Sequence, residues 1–137
     1  MITSSYEPEL DLTIHVVTGS VTAEELGDRA AQFMGKNPSL LSLWDFSHAD
    51  ISALSADGLR AIFNRARPYA ERRRGGRTAL VFSSAVGFGM GRMAEAFGEA
   101  GGFPYEFRSF WDRDAALIWL GSLDSGNGNS GEEPGIA

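Results

Sequence analysis

The segment Leu41-Ser-Leu-Trp-Asp-Phe-Ser47, followed after a short loop by Leu54-Ser-Ala-Asp-Gly-Leu-Arg60, decides how the rest of this chain is read. Leu40 to Phe46 is nearly continuous in apolar residues, as expected of a strand covered on both faces, and the strand is expected to end on Asp45. Ser55 has the character of an N-cap. Behind it Leu59, Ile62, Phe63, Ala66 and Ala70 share one helical face. A buried strand whose end faces a helix start is the place where open α/β sheets put ligands and partners.

Working outward, Ile2 to Tyr6 reads as a short strand with a turn at Glu7-Pro8. Leu10, Leu12, Ile14 and Val16 alternate with Asp11, Thr13, His15 and Val17, the period of a half-buried strand with its leucine and isoleucine side inward. His15 is then expected to face outward or to pack beneath a helix. Thr22-Ala-Glu-Glu25 has capping-box spacing and predicts a helix to about Gly35, stopped by Lys36-Asn-Pro38. Pro68 should kink or end the helix that starts at Ser55. Thr78 to Phe82 is the second fully apolar strand. A helix is predicted over Gly89 to Ala100, an edge strand over Tyr105 to Phe110, and a last helix over Arg113 to Leu120, capped by Asp112. Strands alternating with helices of this length imply right-handed crossovers and a mostly parallel sheet. The two continuous strands belong in its middle.

The chain has 137 residues, enough for one domain with its own core. Residues 1–121 are expected to form it. Ser, Gly, Asn and Glu dominate 122–137, which cannot bury enough apolar surface to order, so a disordered tail is expected there. No cysteine occurs, which excludes disulfides and thiolate chemistry and suits a cytoplasmic location. No secretory signal or membrane-length apolar run is visible. The net charge of −6 argues against nucleic acid as a partner. Arg65, Arg67, Arg72, Arg73, Arg74 and Arg77 cluster, and read as a solvated helix end that complements the helix dipole.

The order of these motifs resembles the SpoIIAA-like branch of the STAS domains, named for sulphate transporters and anti-sigma-factor antagonists. The resemblance rests on Leu43-Trp-Asp-Phe46, Gly58-Leu59, Ala79-Leu-Val-Phe82, Phe88-Gly-Met90 and Ala115-Ala-Leu-Ile-Trp-Leu120, and covers about residues 6 to 121. It implies an α/β fold with a single four- or five-stranded, mostly parallel mixed sheet and four helices. It also implies no enzyme activity, no cofactor, and action through protein contacts. In such antagonists a serine just before the matching Gly-Leu is phosphorylated by a partner kinase, and the phosphate blocks partner binding. Here that position is Asp57, and the connecting loop is about two residues longer. A carboxylate there is favourable in the dipole field by about 0.3–1 kcal/mol, and it cannot be switched. The partner-binding residues expected from this match are Asp45, Ser47, Ser55, Asp57 and Gly58. The plain structural reading of Ser55 and Asp57 is that they cap a helix.

Gly87-Phe-Gly-Met-Gly-Arg92 fits neither a dinucleotide fingerprint nor a P-loop. Its glycines are expected to let the chain turn and pack close to the sheet. A softer alternative is a carrier of a small apolar or anionic ligand. Phe88, Gly89, Met90 and Arg92 would line its pocket, with free N–H groups at the helix start. Asp45, Ser47 and His48 superficially suggest a catalytic triad, but residues so close in sequence rarely reach triad geometry. With two histidines and scattered carboxylates, no metal site is expected. Trp111 is a candidate exposed anchor, and a homodimer through a helix face is the simplest self-association.

Overall fold

The computed structural model describes residues 1–121; the expected disordered tail lies outside the described residues. The elements are β1 (Ile2–Glu7), β2 (Leu12–Ser20), α1 (Ala23–Gly35), β3 (Leu41–Asp50), α2 (Ala56–Ala66), a 3₁₀ segment (Arg67–Arg73), β4 (Arg77–Val81), α3 (Ala85–Ala100), β5 (Glu106–Phe110) and α4 (Arg113–Leu120). They form one five-stranded sheet in the order β1-β2-β3-β4-β5. β1 runs antiparallel to β2, and the other pairings are parallel. Each parallel neighbour follows its predecessor in sequence, so right-handed crossovers advance in one direction and stack α1, α2 and α3 on a single face. The main core lies there, with Val17, Leu26, Trp44, Leu59, Phe63 and Leu80 among its members. The opposite face carries α4, whose Ala116 and Leu120 pack on Leu12, Leu43, Ala79 and Val81.

Both sides of β2 are covered. Leu12 is buried against α4, as expected of the leucine and isoleucine side, while Thr13, His15 and Val17 are buried under the other helices and Ile14 and Val16 are half-buried. One short helix cannot cover the second face as three cover the first. His15 takes the second of its two expected positions, stacked on Trp44 with ring centroids 3.9 Å apart and edge-on to Phe33 of α1 at 5.1 Å.

Pro68 ends α2 at Ala66 and the chain continues as a tight 3₁₀ segment. The predicted helix start at Gly89 is corrected. Ser84 caps α3, its Oγ accepting from the Gly87 N–H at 3.0 Å, so the glycines lie within the helix. Gly87 and Gly91 serve close packing: an added Cβ at Gly91 would stand 2.4 Å from both Phe82 Cε2 and Ser109 Oγ. β3 does not end on Asp45. It bulges against β2 between Val16 and Thr18 and then pairs Thr18, Gly19 and Ser20 with His48, Ala49 and Asp50.

The arginine cluster is no free basic patch. Arg72 donates to the Met34 and Gly35 carbonyls at the end of α1, Arg67 to Gly101 after α3, and Arg77 to Trp119 in α4. The cluster caps three other helices, where cations are favoured. Arg73 departs fully from the expected solvated position, being 2% exposed.

Candidate functional site

Every helix here follows a strand, so the helix starts collect at the C-terminal edge of the sheet, where the predicted partner-binding residues fall. They form two groups. In the first, at the bulge in β3, Asp45 Oδ1 accepts from the Ser47 N–H at 2.9 Å and from Ser47 Oγ at 2.6 Å. Asp45 Oδ2 meets Arg113 of α4 at 3.3 Å, and the carboxylate is almost fully buried. Ser83 Oγ donates to the Ser47 carbonyl at 2.7 Å. The network ties β3, the β4–α3 connection and α4 together.

His48 Nδ1 lies 3.2 Å from Ser47 Oγ. The three triad residue types therefore touch, but in the wrong order, and triad geometry is not reached. In a hydrolytic triad the imidazole sits between carboxylate and hydroxyl. Here the hydroxyl sits between, and its proton goes to Asp45.

The second group is the start of α2. Ser55 Oγ accepts from the Gly58 N–H at 3.0 Å, an N-cap bond. Asp57 is 94% exposed and pairs with Arg60 at 2.9 Å. Gly58 lets α2 approach α1: a Cβ there would stand 2.8 Å from Ala23 Cβ. Among the described residues no hydrogen bond or ion pair joins this group to Asp45 and Ser47.

Beside these groups, the sheet edge carries exposed apolar surface. Phe88 stacks on Trp111 with centroids 4.4 Å apart and planes 4° from parallel, and both Trp111 and Val86 are more than half exposed. The predicted ligand residues do not converge. Arg92 is exposed and faces Glu95 at 3.4 Å, Gly89 opens to solvent, and Arg92 lies about two turns from the helix start. Met90 lines a different space. This is an apolar cavity of about 110 Å³ between the sheet and α1–α3, whose walls include Phe33, Trp44, Phe46, Leu80 and Phe82.

Sequence reasoning missed Arg113, Ser83 and Arg73. Arg113 follows a helix cap, and no local signal pairs it with Asp45. Among the described residues there is no cluster of potential metal ligands and no helix long and apolar enough to cross a membrane.

No family model matches the chain, and no curated protein matches it. Solved structures do. One is an uncharacterized protein of the DUF3478 family with a SpoIIAA-like fold from Shewanella loihica PV-4, with a TM-score of 0.57 and 21% identity, covering 88% of this chain and 92% of that one. Another is the anti-sigma factor antagonist SpoIIAA in its unphosphorylated form, with a TM-score of 0.56 and 14% identity, covering 90% of this chain and 100% of that one. The likeness defines a fold. The chain has a SpoIIAA-like α/β fold, with a mixed, mostly parallel five-stranded sheet and four helices.

Proposed function

We propose that this chain is a non-enzymatic STAS-like regulatory domain that works by binding a protein partner at the C-terminal edge of its sheet, without a phosphoserine switch before Gly58. The observation that carries the reading is the Phe88–Trp111 stack, whose Trp111 is more than half exposed. Aromatic anchors of this kind are enriched at interaction sites. The surface extends to Ser47, Ser55, Asp57 and Gly58, with Asp45 buried beneath it and holding Ser47 in place. The fold of an anti-sigma factor antagonist supports a regulatory role, and the same surface or a helix face would serve a homodimer in the cytoplasm.

Asp57 places a permanent carboxylate where related switches carry a phosphoacceptor. The test compares partners captured from the native host by wild type, Asp57→Lys and Trp111→Ala. Loss of one specific partner from both variants supports the surface, and an unchanged partner set refutes it. Phosphate appearing on Ser55 after incubation with host kinases would show that the switch had moved by two positions.

A second reading is favoured by one observation, the apolar cavity beneath α1–α3. A fully packed domain has few voids larger than a water molecule. This one suits a small ligand, carried at a place other than the predicted Phe88–Arg92 turn.

A further inference from the structure

The polar groups on the cavity wall share a peculiarity of hydrogen-bonding inventory. Arg73, Thr78 and Ser42 all line it. Arg73 donates through Nε to the Ser39 carbonyl at 2.9 Å, through one terminal nitrogen to the Leu40 and Arg77 carbonyls at 2.8 and 3.0 Å, and through the other to Thr78 Oγ1 at 2.7 Å. A guanidinium has five N–H donors; these bonds engage four, and the Tyr105 hydroxyl beside the group engages it as well. Thr78 Oγ1 lies 2.9 Å from Ser42 Oγ. That bond uses one of the two hydroxyl protons, and the other has no acceptor among the described residues.

A neighbouring chain shows the contrast. Thr13 Oγ1 lies 2.7 Å from Ser39 Oγ, which itself donates to the Leu41 carbonyl at 2.7 Å. That chain closes on an acceptor. The Arg73–Thr78–Ser42 chain ends in a hydroxyl donor, and no carboxylate forms an ion pair with Arg73 among the described residues. The rings of Tyr105 and Phe33 lie over the guanidinium instead, at 4.4 and 5.5 Å.

The register gives the cavity a direction. Ser42 and Thr78 are paired at the start of β3 and β4, and Trp44 and Leu80 pair next along the same face. Phe46 and Phe82 follow at the far end. Four residues of strand span about 13 Å, from a donor-rich, positively charged pole to an aromatic one. We propose that the cavity binds a short-chain aliphatic carboxylate, its anionic group facing Arg73 and Ser42 and its tail lying along Trp44 and Leu80. The volume is of the order of cavities known to hold benzene-sized molecules. Burying a carboxylate is costly unless it is paired and hydrogen-bonded, and this pole offers one cation without a carboxylate partner and one spare hydroxyl donor. The inference rests on the carrier reading and names the class of ligand.

The test titrates the full chain with hexanoate, hexan-1-ol and hexylammonium by calorimetry, and follows the methyl resonance of Met90 and the indole signal of Trp44. The expected order is hexanoate, then hexanol, then hexylammonium, with both signals moving. Ser42→Ala should weaken hexanoate about tenfold, the worth of one charge-assisted hydrogen bond, and leave hexanol unchanged. Ser42→Cys retains the volume with a weak donor and serves if the alanine variant does not fold. Hexanol binding as tightly as hexanoate, or hexanoate binding unaffected by the Ser42 variants, would overturn the charged pole while sustaining the carrier reading. Failure of all three probes to bind would overturn both.

Discussion

Phe88 of α3 and Trp111, in the connection from β5 to α4, stack face to face with ring centroids 4.4 Å apart. Two elements that meet only in the folded state thus hold one aromatic platform in the open. Stacked aromatic pairs contribute about 0.5–1.5 kcal/mol beyond the area they bury. Trp111→Ala should therefore lower the unfolding free energy by about 1 kcal/mol in urea titration, while abolishing capture of the partner. A variant as weakly stable as this that still captured the partner would move the docking surface elsewhere.

Burial beneath α1, with Arg29 and Arg73 adding repulsion, pushes the His15 imidazole down to about 3. Its folded value lies below its unfolded value near 6.5. The unfolded chain then binds the extra proton, so the stabilising contribution is whole above pH 6.5 and is lost as pH falls from there toward 3. His15 should add a slope of about 1.4 kcal/mol per pH unit below pH 6. Denaturant midpoints measured between pH 5 and 7 on wild type and His15→Phe check it. The variant should be flatter across that range.

Arg73 cross-links the 3₁₀ segment to the starts of β3 and β4 through four acceptors. Lysine carries three donors on a single nitrogen and cannot reach them together. Arg73→Lys should cost about 2–4 kcal/mol in the urea midpoint analysis, from buried acceptors left without donors. Burial lowers the guanidinium to about 10, so it stays charged at neutral pH and this loss should not vary between pH 6 and 8.

Gly89 and Gly91 are two positions apart and should respond with opposite sign. A methyl group at Gly91 would drive into Phe82 and Ser109, whereas at Gly89 it meets nothing within 4 Å. Gly91→Ala is expected to destabilise by about 1–3 kcal/mol through overpacking. Gly89→Ala is expected to stabilise by about 0.5–1 kcal/mol, because alanine is the better helix former. Thermal unfolding of the two single variants decides it.

Much of this was legible in the residues because the signals are local. The capping box at Thr22 forms as spaced, with Thr22 Oγ1 accepting from the Glu25 N–H at 3.1 Å. Ser55 and Asp112 cap their helices, and Pro68 stops α2. The start of α3 was misjudged because glycines in Gly87-Phe-Gly-Met-Gly suggested a loop. Burial against Phe82 and Ser109 outweighs their poor helix propensity, a tertiary override of a local preference. That Thr13, His15 and Val17 face the three stacked helices while Leu12 faces α4 is likewise absent from the alternation, which says only that the two sides differ.

Sequence alone determined the order of strands and helices, the parallel sheet, the SpoIIAA-like pattern and the carboxylate before Gly58. Each of these follows from spacing along the chain, which needs no partner from elsewhere. Only the tertiary structure decided that Asp45 meets Arg113, that Phe88 stacks on Trp111, and that an arginine from an evidently solvent-facing cluster is buried at the wall of a cavity. These are pairings between residues distant in sequence, set by how the crossovers close and by which polar groups burial leaves to be satisfied. Both the proposed docking surface and the proposed charged pole of the cavity belong to that second kind.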